Sequence, residues 1–489
     1  MKRFVSAFLT LLALLLANAG TAQAGAIDVR EHGAIGDGRT INTAAIQAAI
    51  DRAHRQGGGV VRLADGVFVS ASLHLRSGVT LQVDEGAELR GAGPGEGRYP
   101  AHTPSGGPRP SDLGGTAPAQ VAGLILARGQ RNIAVQGRGV IDGNGLAFSM
   151  KEVRPNVLCF IECEDVRVRD ITTRSSASWT QNYIQCKQVE IVRTRVESHL
   201  PDRNNDGIDF VECHDVRLLD STIIADDDAI VVKSNLTADR GSRNILVENC
   251  TVYGRKSAFK IGTETFGPFE NITVRNLTAY GTRGINLYSV DGAQVRNVLV
   301  ENVTIHDGYA ALLMHVGDRR LFRQSDASGA PEPGGMENIV VRNLHATLAE
   351  RSFKELLEGH GIALHGPAHE KPMAIAENFI SGLRGHPIVN VRLENITLLN
   401  LPGGGAPEDV VERVPENSDH YPLQGMFGRL PAWALYLRNV RNIGIENLVL
   451  QERTPDARPA VLADGVSELS VRAAGARGER IEIRERQGF

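Results

Sequence analysis

The sequence predicts an all-β chain, a single-stranded right-handed parallel β-helix with a short capping helix near its N-terminus. Three observations lead there. Segments of one pattern recur: IECEDVRVRD from 161, IQCKQVEIVR from 184 and VECHDVRLLD from 211, with Cys163, Cys186 and Cys213 in the same slot, 23 and 27 residues apart. An Asn-x-x-x-x-Asn frame surrounds a strand-like stretch six times, starting at Asn244, Asn271, Asn297, Asn338, Asn390 and Asn442. No helical periodicity separates these units. Strand units repeating every ~20–30 residues mark a solenoid, and neither the consensus of leucine-rich repeats nor the longer period of propeller blades is present. Stacked coils lie ~4.8 Å apart. Equivalent asparagines can then hydrogen-bond along a ladder, and the aligned cysteines form a buried thiol stack rather than disulfides.

In chain order, residues 1–24 read as a secretory signal. Lys2 and Arg3 supply the basic start, Phe4 to Ala17 the apolar run, and Ala22-Gln23-Ala24 the cleavage site. The run is short for a bilayer span, so the expectation is an exported chain, periplasmic or secreted, cut near Ala24, with no membrane association. Residues 25–489 then form one β-helix domain. Asn42 or Thr43 caps a helix running to about Arg55, with Ile46, Ala49 and Ile50 on one face. Short alternating strands punctuated by glycine follow to about residue 91. Loop-like insertions rich in Gly, Pro and charge occupy 92–119, 318–336, 351–386 and 401–432. In a solenoid such insertions leave one face and commonly build the binding site. The formal net charge of −4 over 489 residues gives no electrostatic footprint for nucleic acid. A monomer is expected.

The stretch with chemistry in it is 204–234, which carries Asp206, then Asp226, Asp227 and Asp228, with Lys233 after them. Like charges held close raise at least one carboxyl pKa and place a proton donor beside an ionised base. Asp206 and Asp227 are 21 residues apart, about one coil, so they fall side by side. Three consecutive residues alternate sides in an ideal strand. For Asp227 and Asp228 both to face a cleft, the backbone must turn or bulge there.

The motifs GRGVIDGNG, SASWTQNYIQC, NNDGIDF and ADDDAIVVKS resemble those of glycoside hydrolase family 28, the polygalacturonases, over about residues 27–470. The resemblance implies hydrolysis of a pectic, galacturonate-containing polysaccharide or oligosaccharide, with inversion and without metal or cofactor. It makes Asp227 the general acid and gives the attacking water to Asp206 and Asp228, with Asn204 opening the motif. Two family motifs are altered. The Gly-His-Gly position falls on Lys256 or Ser257, and the Arg-Ile-Lys that holds the galacturonate carboxylate reads Asn286-Leu287-Tyr288. Lys256, Lys260 or Arg283 is available for that anionic contact, and each reads equally well as a solvated surface residue. Lys233, Glu264 and Tyr288 complete the expected substrate-binding set. Trp179 reads as a sugar-stacking ring or as a core aromatic. The spacing of neighbouring coils is nearer the ~5–5.5 Å of retaining carboxylates than the ~6.5–9.5 Å of inverting ones.

His360, His365 and His369 lie in an insertion at a spacing that favours loop or substrate contacts over zinc. Two other readings of the scaffold compete: a Ca²⁺-dependent polysaccharide lyase or epimerase, and a non-catalytic adhesin or binding module. The carboxylate cluster argues against the last. Insertions gathered at one end of the groove would admit only a chain end and make the enzyme exo-acting.

Overall fold

The computed structural model describes residues 25–104, 121–235, 239–319, 332–423, 425–475 and 482–486. The expected signal segment and most of the insertions at 92–119 and 318–336 lie outside these residues. The architecture is the expected right-handed parallel β-helix. Successive coils pair in parallel, Ile208 with Ile230, Phe259 with Ile285, and Ile285 with Leu312. None of the described helices is long and apolar enough to cross a membrane.

The helix Thr43–Arg55 buries Ile46, Ala49, Ile50 and Ala53 over the first coils. Asn42 sits at its N-cap position, but its side chain is spent elsewhere. The Asn42 carbonyl accepts from the Ile35 amide at 2.7 Å, and its amide donates to Ile35 and Thr40 oxygens.

Each coil contributes one strand to a 13-stranded sheet and one or two to a 22-stranded sheet. The asparagine frame explains the corners between them. Both asparagines of each frame have positive φ, 54° to 59° for the pairs beginning at Asn244, Asn271, Asn297, Asn338, Asn390 and Asn442. Asparagine tolerates that conformation better than most side chains. Two ladders then run along the surface. One links Asn244, Asn271, Asn297, Asn338, Asn390 and Asn442 at 2.8–3.2 Å. The other links Asn249 to Asn447 through the intervening members. Both ladders end on carboxylates, Asp215 and Asp220, which hold the same left-handed corners one coil earlier. All five cysteines are buried free thiols.

The two sheets differ on their outer faces. Strands of the larger sheet alternate buried and exposed residues, as in Phe269–Tyr280. Strands of the smaller sheet, such as Ile208–Val211, Ile230–Ser234 and Ile285–Ser289, are buried at every position. Something therefore covers the smaller sheet from outside. Between Leu126 and Leu462 its outward ladder has a polar middle, at Asn182, Asp209, Lys260 and Asn286, interrupted by Val231. Beyond Asn286 the ladder turns apolar at Leu313, Phe379 and Tyr436. There the 401–432 insertion lays Val414, Phe427 and Leu430 over it as a second hydrophobic cluster. At the other end Val121 and Trp179 cover Leu126, Cys159 and Ile161. A polar window is left between two apolar covers.

Candidate active site

The aspartates stand on the turns that lead into this window. Residues 226–229 form a bend between the strands Thr222–Ala225 and Ile230–Ser234. That bend supplies the break in alternation needed for Asp227 and Asp228 to share a cleft. Gly207 lets the preceding coil close on it. The Gly207 amide donates to the Asp228 carbonyl at 2.9 Å, and a Cβ at Gly207 would stand 2.4 Å from Ala229 O. Asp206, Asp227 and Asp228 are brought together, each with a carboxyl oxygen within 4.8 Å of the other two. The Asp227 side chain is the most open, at 10% exposure against 4% for the others.

The next coil answers each aspartate in register, 29 residues on. Arg255 pairs with Asp226 at 3.0 Å, Lys256 Nζ with Asp227 Oδ2 at 2.5 Å, and the Ser257 amide donates to Asp228 Oδ1 at 3.0 Å. Lys260 Nζ adds a 2.7 Å contact to Asp228 Oδ2, and Arg283 stands 3.5 Å from Oδ1. Lys233 lies among Asp209, Asp206 and Glu264 at 3.4, 3.5 and 3.6 Å, over the Trp179 ring at 4.0 Å from its centre.

These surroundings drive the carboxylates apart. Burial, reinforced by Asp209, pushes Asp206 well above the carboxylate range, with Lys233 opposing. Burial would raise Asp228 too, but Lys260, Arg283 and Lys256 outweigh it and hold Asp228 well below that range. Asp209 is pushed up to about 7, chiefly by burial, again against Lys233. Burial works to discharge Lys256 and Lys260, yet the aspartates keep both ammoniums above the ordinary lysine value. The cluster therefore carries one carboxyl that favours its proton and one held as an anion.

The other expected substrate contacts divide by accessibility. Lys256 is 34% exposed at its side chain, and Asn204 is half-buried with φ 51°. Lys233, Lys260, Glu264, Arg283, Tyr288 and Trp179 are all buried. The reading of Lys260 and Arg283 as solvated surface residues does not hold, because their charges neutralise Asp228 within the fold. Trp179 takes the core-aromatic alternative, beneath Lys233. Asn286 accepts from Arg283 Nε at 2.9 Å, so the altered clamp position is itself an internal bond.

Several residues here escaped the sequence reading. Asp209 lies three residues after Asp206, on the strand Ile208–Val211, so strand alternation from Asp206 does not announce it. Arg255 was visible once the 29-residue register is known. Tyr421 reaches Lys260 Nζ at 3.4 Å from 161 residues away, and nothing local announces it. The 351–386 insertion brings His369 to 3.5 Å from Asp226 and His365 to 3.0 Å from Glu197, while His360 packs edge-on against Tyr280. These three histidines thus serve loop contacts.

Residues 119–308 match the glycosyl hydrolases family 28. A probable polygalacturonase of Vitis vinifera is 23% identical over 297 residues, 56% of this chain and 60% of that protein. An endo-polygalacturonase of Pectobacterium carotovorum subsp. carotovorum is 26% identical over 290 residues, 53% of this chain and 69% of its own. The Vitis match thus leaves about two-fifths of that relative uncovered. Among solved structures, the family 28 exopolygalacturonase of Yersinia enterocolitica superposes with a TM-score of 0.59 at 19% identity, covering 94% of this chain and 77% of that one. At that identity the likeness concerns the fold.

Proposed function

From the match of residues 119–308 to the glycosyl hydrolases family 28, we propose that this chain is an exported hydrolase of that family cleaving pectic, galacturonate-containing chains from an end, by acid and base catalysis with inversion. The single observation that carries hydrolysis by acid and base is the group Asp206, Asp227 and Asp228, drawn within 4.8 Å and differently charged; inversion rests on the family resemblance, since this spacing is nearer that of retaining carboxylates. Asp228, held ionised by Lys260 and Arg283, is the base for the attacking water. Asp227, the most accessible carboxyl, meets the glycosidic oxygen as general acid. Asp227 gives its own proton to the leaving oxygen while Asp228 takes one from the attacking water, and Asp206, which favours its protonated form, orients that water. This departs from the expected pairing of Asp206 and Asp228 as joint base. Positioned proton transfer of this kind is worth ~10²–10⁴-fold in rate.

The substrate carboxylate is read by Lys256, the one cation of the set with solvent access. Action from a chain end is supported by the apolar cover laid by the 401–432 insertion next to the window. Export is supported by the residue pattern of 1–24. The test is a time course on pectin fractions with reducing-end detection, product sizing and NMR of the first anomer formed. One short product of inverted configuration supports the proposal. A retained anomer would turn an aspartate into the nucleophile. Unsaturated, ultraviolet-absorbing products lost with EDTA would mean a lyase instead.

A further inference from the structure

We infer that Tyr421 is a specificity-determining residue, seating the terminal sugar of the bound chain against its ring and hydroxyl at the edge of the window. The inference rests on the chain-end reading above and names the residue that enforces it. Tyr421 belongs to the inserted segment, not to the coils, yet it stands at the catalytic group. Its Oη is 3.4 Å from Lys260 Nζ, whose other contact is Asp228 at 2.7 Å. The ring lies 5.7 Å from both the Lys260 ammonium and the Arg319 guanidinium.

The segment bearing Tyr421 is tied down on both sides. The Arg438 guanidinium donates to the carbonyls of Val414 and Pro415 at 3.1 and 3.0 Å. The Asp318 amide donates to Ser418 O at 2.6 Å, and Asn417 Nδ2 to Met426 O at 2.6 Å. Arg319, beside the ring, is itself fixed by Asp291 at 2.6 Å. A half-buried tyrosine on so constrained a segment is a wall with one polar handle. Such a ring presents an apolar face and a hydroxyl together, the combination that suits a sugar.

A second observation points to a ligand at the same corner. Tyr288 is fully buried, and its hydroxyl has no hydrogen-bond partner among the described residues. Its electrostatic neighbours are Arg283, Lys260, Asp228 and Tyr421. Buried hydroxyls are ordinarily paired, so this corner is organised around a polar group that a bound sugar provides.

The experiment compares the wild-type chain with Tyr421→Ala and Tyr421→Phe on a defined galacturonate oligosaccharide and on the polymer. Thermal melts check that the variants are folded. Tyr421→Ala is expected to raise KM for the oligosaccharide about tenfold, the equivalent of one good contact, and to turn a single short product into a ladder. Tyr421→Phe keeps the wall, so its product pattern stays short while KM rises a few-fold. If the wild type releases one short product and Tyr421→Ala does the same with unchanged KM, the inference is overturned and the chain-end reading stands. A ladder from the wild type at first turnover overturns both. A purely structural Tyr421 would lower the melting temperature of both variants and leave the product pattern alone, which also overturns it.

Discussion

Replacing Lys260 by methionine removes the nearest cation from a carboxylate that has almost no solvent. Lys260 and Asp228 side chains are 2% and 4% exposed, and their contact is 2.7 Å. Breaking a buried pair by removing one partner costs ~3–5 kcal/mol, because the other charge is left behind. Asp228 retains the Ser257 amide at 3.0 Å and Arg283 at 3.5 Å, which places the loss at the lower end, about 3 kcal/mol near neutral pH.

The pH dependence gives the sharper test. In the wild type the folded-state pKa of Asp228 is depressed below its unfolded value of ~3.9. Its ionisation therefore stabilises the fold above about pH 4, and that contribution is lost only as pH falls through the depressed folded value. Without Lys260 the carboxyl protonates at higher pH, so the gap between variant and wild type narrows on acidification. Urea unfolding midpoints from pH 7 down to pH 4 measure this. A variant within about 1 kcal/mol of wild type at pH 7, or a gap that does not change with pH, would refute the reasoning. Turnover should fall as well, since a protonated Asp228 cannot take the water's proton.

Asp227→Asn should fold normally and lose ~10²–10⁴-fold in turnover; near-normal kcat in a folded protein would remove Asp227 as the acid. Activity on plain polygalacturonate should be weak relative to a decorated or mixed backbone, because Asn286 and Tyr288 are fully buried where the family's carboxylate clamp would stand; comparative rates on the two substrates decide it. For Asp209, pushed up to about 7 in the fold, the stability it permits is full below about pH 4 and is lost as pH rises through 7. Asp209→Asn should therefore gain melting temperature over the wild type as pH rises from 4 to 8, and a constant difference would count against the assignment. Asn297→Ala should cost ~1–3 kcal/mol in a denaturant titration, since it loses bonds to Asn271 and Asn338 at a φ of 57° that alanine disfavours; an unchanged midpoint would show the ladder to be incidental.

The β-helix was legible because its determinants are local and repeated. A left-handed corner wants asparagine or aspartate wherever it occurs, so Asn244 and Asn249 announce the same geometry as Asn442 and Asn447. The aspartate group was legible for the same reason, one coil being about the distance from Asp206 to Asp227. The charges of the site were not. Whether Lys260 faces solvent or neutralises Asp228 depends on a register of 29 residues in that coil, set by how much chain the previous turn takes up. Asp206 and Asp228 look alike in the sequence, and only the placement of Lys233, Lys260 and Arg283 around them drives their protonation apart. The edge of the window was least legible of all. Tyr421 sits in an irregular insertion, where no period constrains the chain. It reaches the site only because Leu313, Phe379 and Tyr436 leave an apolar outer face that Val414, Phe427 and Leu430 must cover. The repeat specified the coils, while burial of that face brought Tyr421 to the edge of the window.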